Sequence, residues 1–575
     1  MNFIERWRKG DLGSDDLLVL SGLALVCGVL SGLTMTALVM LLLWFASFIL
    51  PTHSESYELL PPEFRFLLPV LACILLAGIW HFLPKRHLKV GIPYVVERLN
   101  YHQGNLPIIN AVVQFVGALI GLMGGLSIGK EGPAVHIGAT FGSRLAQRFR
   151  LSYIGVDTLV ACGVAGAIAA AFQTPLAGVL FAYEVIFHEY RLRLVLPVLL
   201  SSIVAMFISE GLLGRFDLFE LGVLKLPLYD FSMLLAYCVL VVLIVIASSL
   251  FYQVQRWFWR FGNVSPWVRF LFVGVVTGAV GLLVPQVLGG GYDSLNVALT
   301  GGDFIMPLLI LIIAKVVLTS LSIGLGIPGG MIGPTFVIGG LVGAQVSLWV
   351  DTGLLPATEM SLFVLLGMAA MMATTFQAPL TAMIAMVEMT HTSQTIVPAI
   401  FVIVLSCTAI RLLFNQDSIF VERMNALGLV SEWSPVQRLL RQQDLRNVAQ
   451  KVKVLPAILP LERIRDLASN MVDYVAIKTG DAYFLVSAPE MLDKLKQLDL
   501  GPQTWLASDG DQQGMDVLMA LQGKEVKVID SSMPLPDLIN WLHKNNQSQV
   551  LVQYVDAGSF WLVTSHQLNQ MLFKE

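Results

Sequence analysis

Long uncharged apolar runs, separated by short polar breaks, fill residues 17–430, and the pattern changes beyond them. The first run, 17–54, holds 38 residues without Asp, Glu, Lys or Arg. A bilayer-spanning helix needs about 20, so this run predicts one long tilted helix or a helix and a return. Further apolar stretches lie near 64–84, 106–128, 158–183, 194–209, 227–254, 269–288, 304–326, 333–350, 360–387 and 394–410. Several are too long for one upright span, others are too short, and many contain Gly or Pro. Irregular backbone at membrane depth survives only when buried in protein or lining a polar cavity. Interrupted segments therefore point to a transport site. Beyond residue 430 the runs shorten to strand length. Two successive units there each read strand, helix (461–471 and 535–544), strand, strand, helix.

Composition narrows the class. Apolar residues make up 56% and charged residues 13% of the 575, against about 45–50% and about 25% in soluble domains. An ordinary soluble enzyme, a disordered chain and a collagen-like chain are excluded. Residues 431–575 hold 31 of the 76 Asp, Glu, Lys and Arg, which separates a membrane part from a soluble part. The expected divisions are a cytoplasmic segment 1–15, a transmembrane domain 16–425 and a cytoplasmic domain 426–575. A net charge of −4 leaves no footprint for nucleic acid. Cys27, Cys73, Cys162, Cys238 and Cys407 sit in apolar runs without paired spacing, which implies neither a disulfide framework nor a metal. No cofactor is expected. Arg6, Arg8 and Lys9 precede the first run, which is too long for a cleavable signal. They favour a cytoplasmic N-terminus. A multi-pass protein of the inner or plasma membrane, in contact with lipid and with both termini cytoplasmic, is the expectation.

The membrane part repeats itself. Residues 163–185 (GVAGAIAAAFQTPLAGVLFAYEV) match 367–389 (GMAAMMATTFQAPLTAMIAMVEM) at an offset of 204, aligning Gln173 with Gln377, Pro175 with Pro379 and Glu184 with Glu388. Upstream, 131–139 (EGPAVHIGA) faces 332–340 (IGPTFVIGG) at an offset of 201. Duplicated halves usually place a substrate site where they meet. The soluble part repeats too. Val452-Lys453-Val454 with Pro460-Leu461 matches Val526-Lys527-Val528 with Pro534-Leu535, and AYFLVS (482–487) matches SFWLVT (559–564).

Three Gly/Pro signatures open apolar stretches: KVGIP (89–93), GKEGP (129–133) and GGMIGP (329–334). A helix start presents unpaired N–H groups and a partial positive charge, and glycines let backbone approach a ligand. Three converging starts would hold a dehydrated anion without a full positive charge that would trap it. Glu131 is an acid at such a start, and intramembrane ionisable residues are costly and functional by default. Its carboxylate would occupy an anion position and leave it when protonated, so it reads as a proton-linked gate. The plainer alternative, an ion pair with Lys130, is weakened because helix neighbours do not face each other. For Lys315, inside an apolar run, the plain reading is snorkelling or pairing with a backbone carbonyl.

These motifs resemble the CLC family of chloride channels and proton-coupled chloride exchangers over residues 16–425, and the soluble units look like that family's tandem CBS domains. GKEGP is the most specific match, with Glu131 in the gating position. KVGIP looks like the family's GSGIP, and GGMIGP looks like its GGxFxP. The resemblance implies anion contacts from Val90, Gly91, Ile92, Pro93, Gly129, Lys130, Gly132, Met331, Ile332 and Phe420. It also implies inverted halves and a homodimer with one pore per subunit. Three departures stand out. Val90 replaces the pore serine, Phe420 replaces the pore tyrosine, and Val185 follows Glu184 where exchangers often carry a second glutamate. Chloride, nitrate or another small anion stays open as substrate. Protons are a possible second one, with a relay through Glu184, His188 and Glu189. In the CBS-like pair, Ser487 and Glu490, and Thr564 in the second unit, fall at nucleotide-contact positions, although a structural dimer module is favoured over nucleotide binding.

The expected fold is an all-α polytopic membrane domain of duplicated halves with broken helices, followed by a small α+β domain. The expected function is passage of a small anion gated by Glu131, leaning to channel-like or weakly coupled behaviour, with proton-coupled antiport as the alternative. A membrane enzyme lacks any recognisable catalytic constellation. A receptor or scaffold acting through the soluble part is the remaining rival.

Overall fold

In the computed structural model the chain forms two compact units, Met1–Trp433 and Ser434–Glu575. The structure describes residues 17–50, 57–191, 194–214, 231–299, 308–349, 360–390 and 395–429, and most of the strands between 449 and 565. The basic cluster at 6–9, the predicted helix 461–471, most of 535–544 and the Pro534-Leu535 repeat mark lie outside the described residues.

The first unit is helical. The opening run is a single helix, α1 (Leu17–Ile49), rather than a helix and a return. At 1.5 Å per residue its 33 residues reach about 50 Å, well beyond a hydrocarbon core of about 30 Å, which is long enough to cross at a tilt. After it come α2 (Pro62–Phe82), α3 (Ile92–Tyr101), α4 (Ile108–Met123), α5 (Glu131–Arg148), α6 (Tyr153–Phe172) and α7 (Pro175–Phe181). The chain continues through α8 (Val195–Leu213), α9 (Phe231–Trp259), α10 (Pro266–Leu283), α11 (Tyr292–Leu299) and α12 (Leu308–Gly324). It closes with α13 (Ile332–Trp349), α14 (Met360–Phe376), α15 (Pro379–Thr390), α16 (Ile396–Phe414) and α17 (Ile419–Ala426). Eight helices among the described residues are long and apolar enough to cross a membrane. α6 and α14 are buried nearly all round, while α2, α8, α10 and α16 leave apolar faces outward. This is the arrangement of a bundle solvated by lipid rather than water.

The duplication is visible in the packing. α5 crosses α6 where Gly138 meets Gly163, and α13 crosses α14 where Gly339 meets Gly367. At each crossing a Cβ on one glycine would run into the carbonyl of the other. Small residues let helix backbones approach this closely in membranes. The matched glycines thus seat the long N-terminal helix of each repeat against its buried partner.

The second unit carries β1 (Gln450–Val452), β2 (Val454–Pro456), β3 (Ile458–Pro460), β4 (Tyr474–Thr479), β5 (Ala482–Ser487), β6 (Leu506–Asp509) and β7 (Gln512–Asp516). β8 (Lys524–Val526), β9 (Val528–Asp530), β10 (Gln549–Tyr554) and β11 (Ser559–Thr564) follow. The sheet orders are β1-β11-β10-β9, β2-β4-β5-β8 and β3-β7-β6. In each repeat an antiparallel hairpin (β4–β5, β10–β11) has a parallel neighbour (β2, β9). The fourth strand is exchanged: β8 of the second repeat edges the first hairpin and β1 of the first edges the second. The three-stranded sheet was not anticipated from the repeat pattern, although Gly510-Asp511 is a recognisable hairpin-turn dipeptide.

Candidate functional site

The three Gly/Pro signatures come together. Gly129 and Gly330 exchange two backbone hydrogen bonds of 2.7 Å, an isolated antiparallel bridge that ties the starts of α5 and α13. A cavity of about 410 Å³ opens against this bridge, and its wall includes Val90, Gly91, Ile92, Pro93, Gly132 and Met331. The start of α3 therefore faces the starts of α5 and α13. Gly91 needs to lack a Cβ, because its positive φ of +86°, where the chain turns into α3, is disfavoured for any side chain. Its N–H donates to His136 Nδ1 at 3.3 Å, so that amide is directed to a histidine of α5.

Glu131 is fully buried at the first position of α5. Its carboxylate reaches across the bridge. Oε2 accepts from the Gly333 N–H at 3.1 Å, and Oε1 accepts from the Tyr292 hydroxyl at 2.8 Å. Gly333 lies in the first turn of α13, where N–H groups lack intrahelical partners and the macrodipole is positive. The carboxylate thus sits where an anion would sit. A Cβ at Gly129 would collide with it, so that glycine is required by close approach. Lys130 does not pair with Glu131; its ammonium lies over the Tyr292 ring, 5.6 Å from the centroid.

Tyr292 was not anticipated. Its only trace in the sequence is the Gly289-Gly290-Gly291 run before it. That loop is held by Lys315, which is fully buried and donates to the carbonyls of Val287 (2.9 Å) and Gly289 (2.7 Å). The plain reading of Lys315 as a partner of backbone carbonyls agrees with this geometry. By fixing the loop, it positions the tyrosine that donates to Glu131.

Val90 and Phe420 both line the cavity. Phe420 is buried and stacks on Phe376, with ring centroids 5.2 Å apart. Neither side chain offers a donor, so hydrogen bonds from this wall come from backbone and from other residues. Met331 and Ile332 lead into α13, and the Met331 carbonyl accepts from Thr335 N at 3.0 Å.

Glu184 lies elsewhere, on the π-helical turn 182–187 that extends α7. Its carboxylate accepts from Leu380 N (3.1 Å), Thr381 N (2.7 Å), Thr381 Oγ1 (2.6 Å) and Tyr190 OH (2.7 Å). It caps the N-terminus of α15 in the other repeat. The aligned Glu388 returns the contact, accepting from Leu176 N (2.9 Å) and Ala177 N (2.8 Å) at the start of α7. Each half thereby caps the broken helix of the other. Glu189 pairs with Arg191 at 3.3 Å, and Arg191 also bridges to Asp157 at 3.0 Å. In the second unit, Ser487 ends β5 and Glu490 is exposed in the following helix, α18 (Ala488–Lys496). Thr564 ends β11 in the other sheet, opposite Gln549.

A multi-pass bundle of duplicated halves, with paired broken helices and a buried carboxylate where two helix starts meet, defines an integral membrane protein with an acid at its centre. Residues 70–411 match the model of the voltage gated chloride channel family, and the chain belongs to that family. It is 33% identical over 304 residues to the H(+)/Cl(-) exchange transporter ClcA of Salmonella agona and, equally, to that of Salmonella paratyphi B. The match covers 50% of this chain and 63% of either relative. Among solved structures, a slow cyanobacterial Cl-/H+ antiporter superposes with a TM-score of 0.60 at 22% identity, covering 72% of this chain and 97% of the other. A CLC-type fluoride/proton antiporter gives 0.60 at 23%, covering 70% and 97%. A eukaryotic CLC transporter gives 0.60 at 18%, covering 96% and 98%. These likenesses establish the fold.

Proposed function

We propose that the protein exchanges a small inorganic anion, chloride first among candidates, for protons across a membrane, with Glu131 as the gate. The observation that carries this reading is the seat of the Glu131 carboxylate. It holds the Gly333 amide and the Tyr292 hydroxyl, two donors an incoming anion would use. An anion arriving displaces it, and a proton arriving lets it leave. Gate and substrate therefore compete for one place, which links the two fluxes. The relatives named as H(+)/Cl(-) exchange transporters favour exchange over the channel-like passage read from Val185.

One observation favours the channel-like reading. Val185 supplies no carboxylate, and Glu184 is engaged by four donors as a helix cap. The experiment is to impose an anion gradient on sealed vesicles and follow internal pH, in turn with chloride, nitrate and fluoride. Uphill proton movement establishes exchange, and anion flux without it establishes a passive conductor. We further infer a carrier rather than an enzyme, a homodimer with both termini cytoplasmic, and a CBS-like pair that serves assembly rather than nucleotide sensing.

A further inference from the structure

The cavity beside the gate has a second chemical character. Two arginines from different elements line it, Arg269 of α10 and Arg423 of α17. Both are partly buried, and among the described residues neither guanidinium has an ion-pair partner. Arg269 donates through Nη1 to the Leu325 carbonyl at 2.9 Å, while its Nε is buried without a partner. The Arg423 guanidinium lies 5.1 Å from the centroid of the Trp259 ring, which also lines the cavity. That contact fixes the guanidinium and leaves its N–H edge for a ligand. The other charges of the wall, Lys89 and Glu97, cancel each other at 2.7 Å. The wall therefore carries two uncompensated positive charges.

Two buried amides complete it. Gln255 is 1% exposed with its Oε1 unpartnered. Gln114 is 0% exposed with neither amide atom partnered, and lies beside Gly91. Buried polar groups left open in this way mark a place built for a ligand or water. Unpaired arginines within a membrane bundle are expensive unless an anion joins them.

We propose that Arg269 and Arg423 form a second anion site in this cavity, distinct from the Glu131 seat, that takes small planar oxyanions such as nitrate and formate in preference to halide. The guanidinium fork matches two coplanar oxygens, whereas a spherical halide uses one donor direction at a time. Gln114 lines the same cavity beside Gly91, with its amide open to an anion there. The inference rests on the transport reading for its purpose but not for its binding chemistry.

The test is isothermal titration of the purified full chain with sodium nitrate, formate and chloride at fixed ionic strength, beside anion flux in liposomes. Arg269→Gln and Arg423→Gln should each weaken nitrate and formate binding at least tenfold. They should also raise the half-saturating nitrate concentration for flux. Arg423→Lys keeps the charge and should keep chloride binding, but lose the preference for nitrate and formate. It also serves if a Gln variant fails to fold. Unchanged oxyanion binding in folded Gln variants, or an unchanged oxyanion preference in Arg423→Lys, overturns the site. Loss of binding in the variants of a protein that passes no anion would keep the site and sink the transport reading.

Discussion

Removing the Tyr292 hydroxyl tests the competition at the gate directly. In Tyr292→Phe the ring still packs beside Glu131, but Oε1 loses its 2.8 Å donor and, among the described residues, the carboxylate keeps the Gly333 N–H at 3.1 Å on Oε2. A hydrogen bond to a charged group contributes about 1.5–3 kcal/mol. At tenfold per about 1.4 kcal/mol, the ratio of seated to displaced carboxylate should fall roughly tenfold to a hundredfold. The assay is chloride efflux from liposomes across a range of chloride concentrations. Anion binding in competition with the carboxylate should strengthen, and flux at low chloride should rise. Glu131→Ala removes the competitor altogether. Its flux should be intact or faster and without pH dependence, and Tyr292→Phe added to it should change the gating little. A phenylalanine variant indistinguishable from the native protein, beside a Glu131→Ala that differs, would refute the role of the hydroxyl. Additive effects of the two changes would place Tyr292 outside the gate.

Glu388→Gln should destabilise the membrane unit by about 1.5–3 kcal/mol for each bond lost, read as a lower unfolding temperature in detergent. Glu184→Gln should do the same while leaving the proton-to-anion ratio unchanged; a changed ratio would make Glu184 a relay. Phe420→Tyr and Val90→Ser each add a hydroxyl to the cavity wall and should tighten chloride binding by about tenfold, measured by titration calorimetry. Gly339→Val should prevent α13 from seating on α14, because its side chain meets the Gly367 carbonyl, and should yield protein that aggregates on extraction.

Much of this arrangement was readable from the chain because it is local or duplicated. Gly132-Pro133 and Gly333-Pro334 announce helix starts by themselves, and the shared offset says that the starts belong together. Glu131 stands out because an acid in an apolar context demands a reason. What was hidden depends on contacts across long stretches of chain. Tyr292 reaches Glu131 over 161 positions, and Glu184 reaches Thr381 over 197. The alignment of Glu184 with Glu388 was visible, but nothing in two matched helices says that each carboxylate crosses to the other. No motif or repeat in the sequence marks Arg269 or Arg423. Only the cavity between their helices shows that they share a wall and that acidic neighbours do not neutralise them.

The exchanged strands of the C-terminal unit have a consequence for how that unit can be divided. β8 borders the hairpin of the first repeat and β1 borders that of the second, so neither repeat owns a finished sheet. A chain cut between β7 and β8 would strip a border from one sheet and strand a border from the other. The bare edges would then be open to pairing with stray segments. The repeats, alike enough to have begun as copies, have become mutually dependent, and any truncation meant to isolate one must carry the other's strand along.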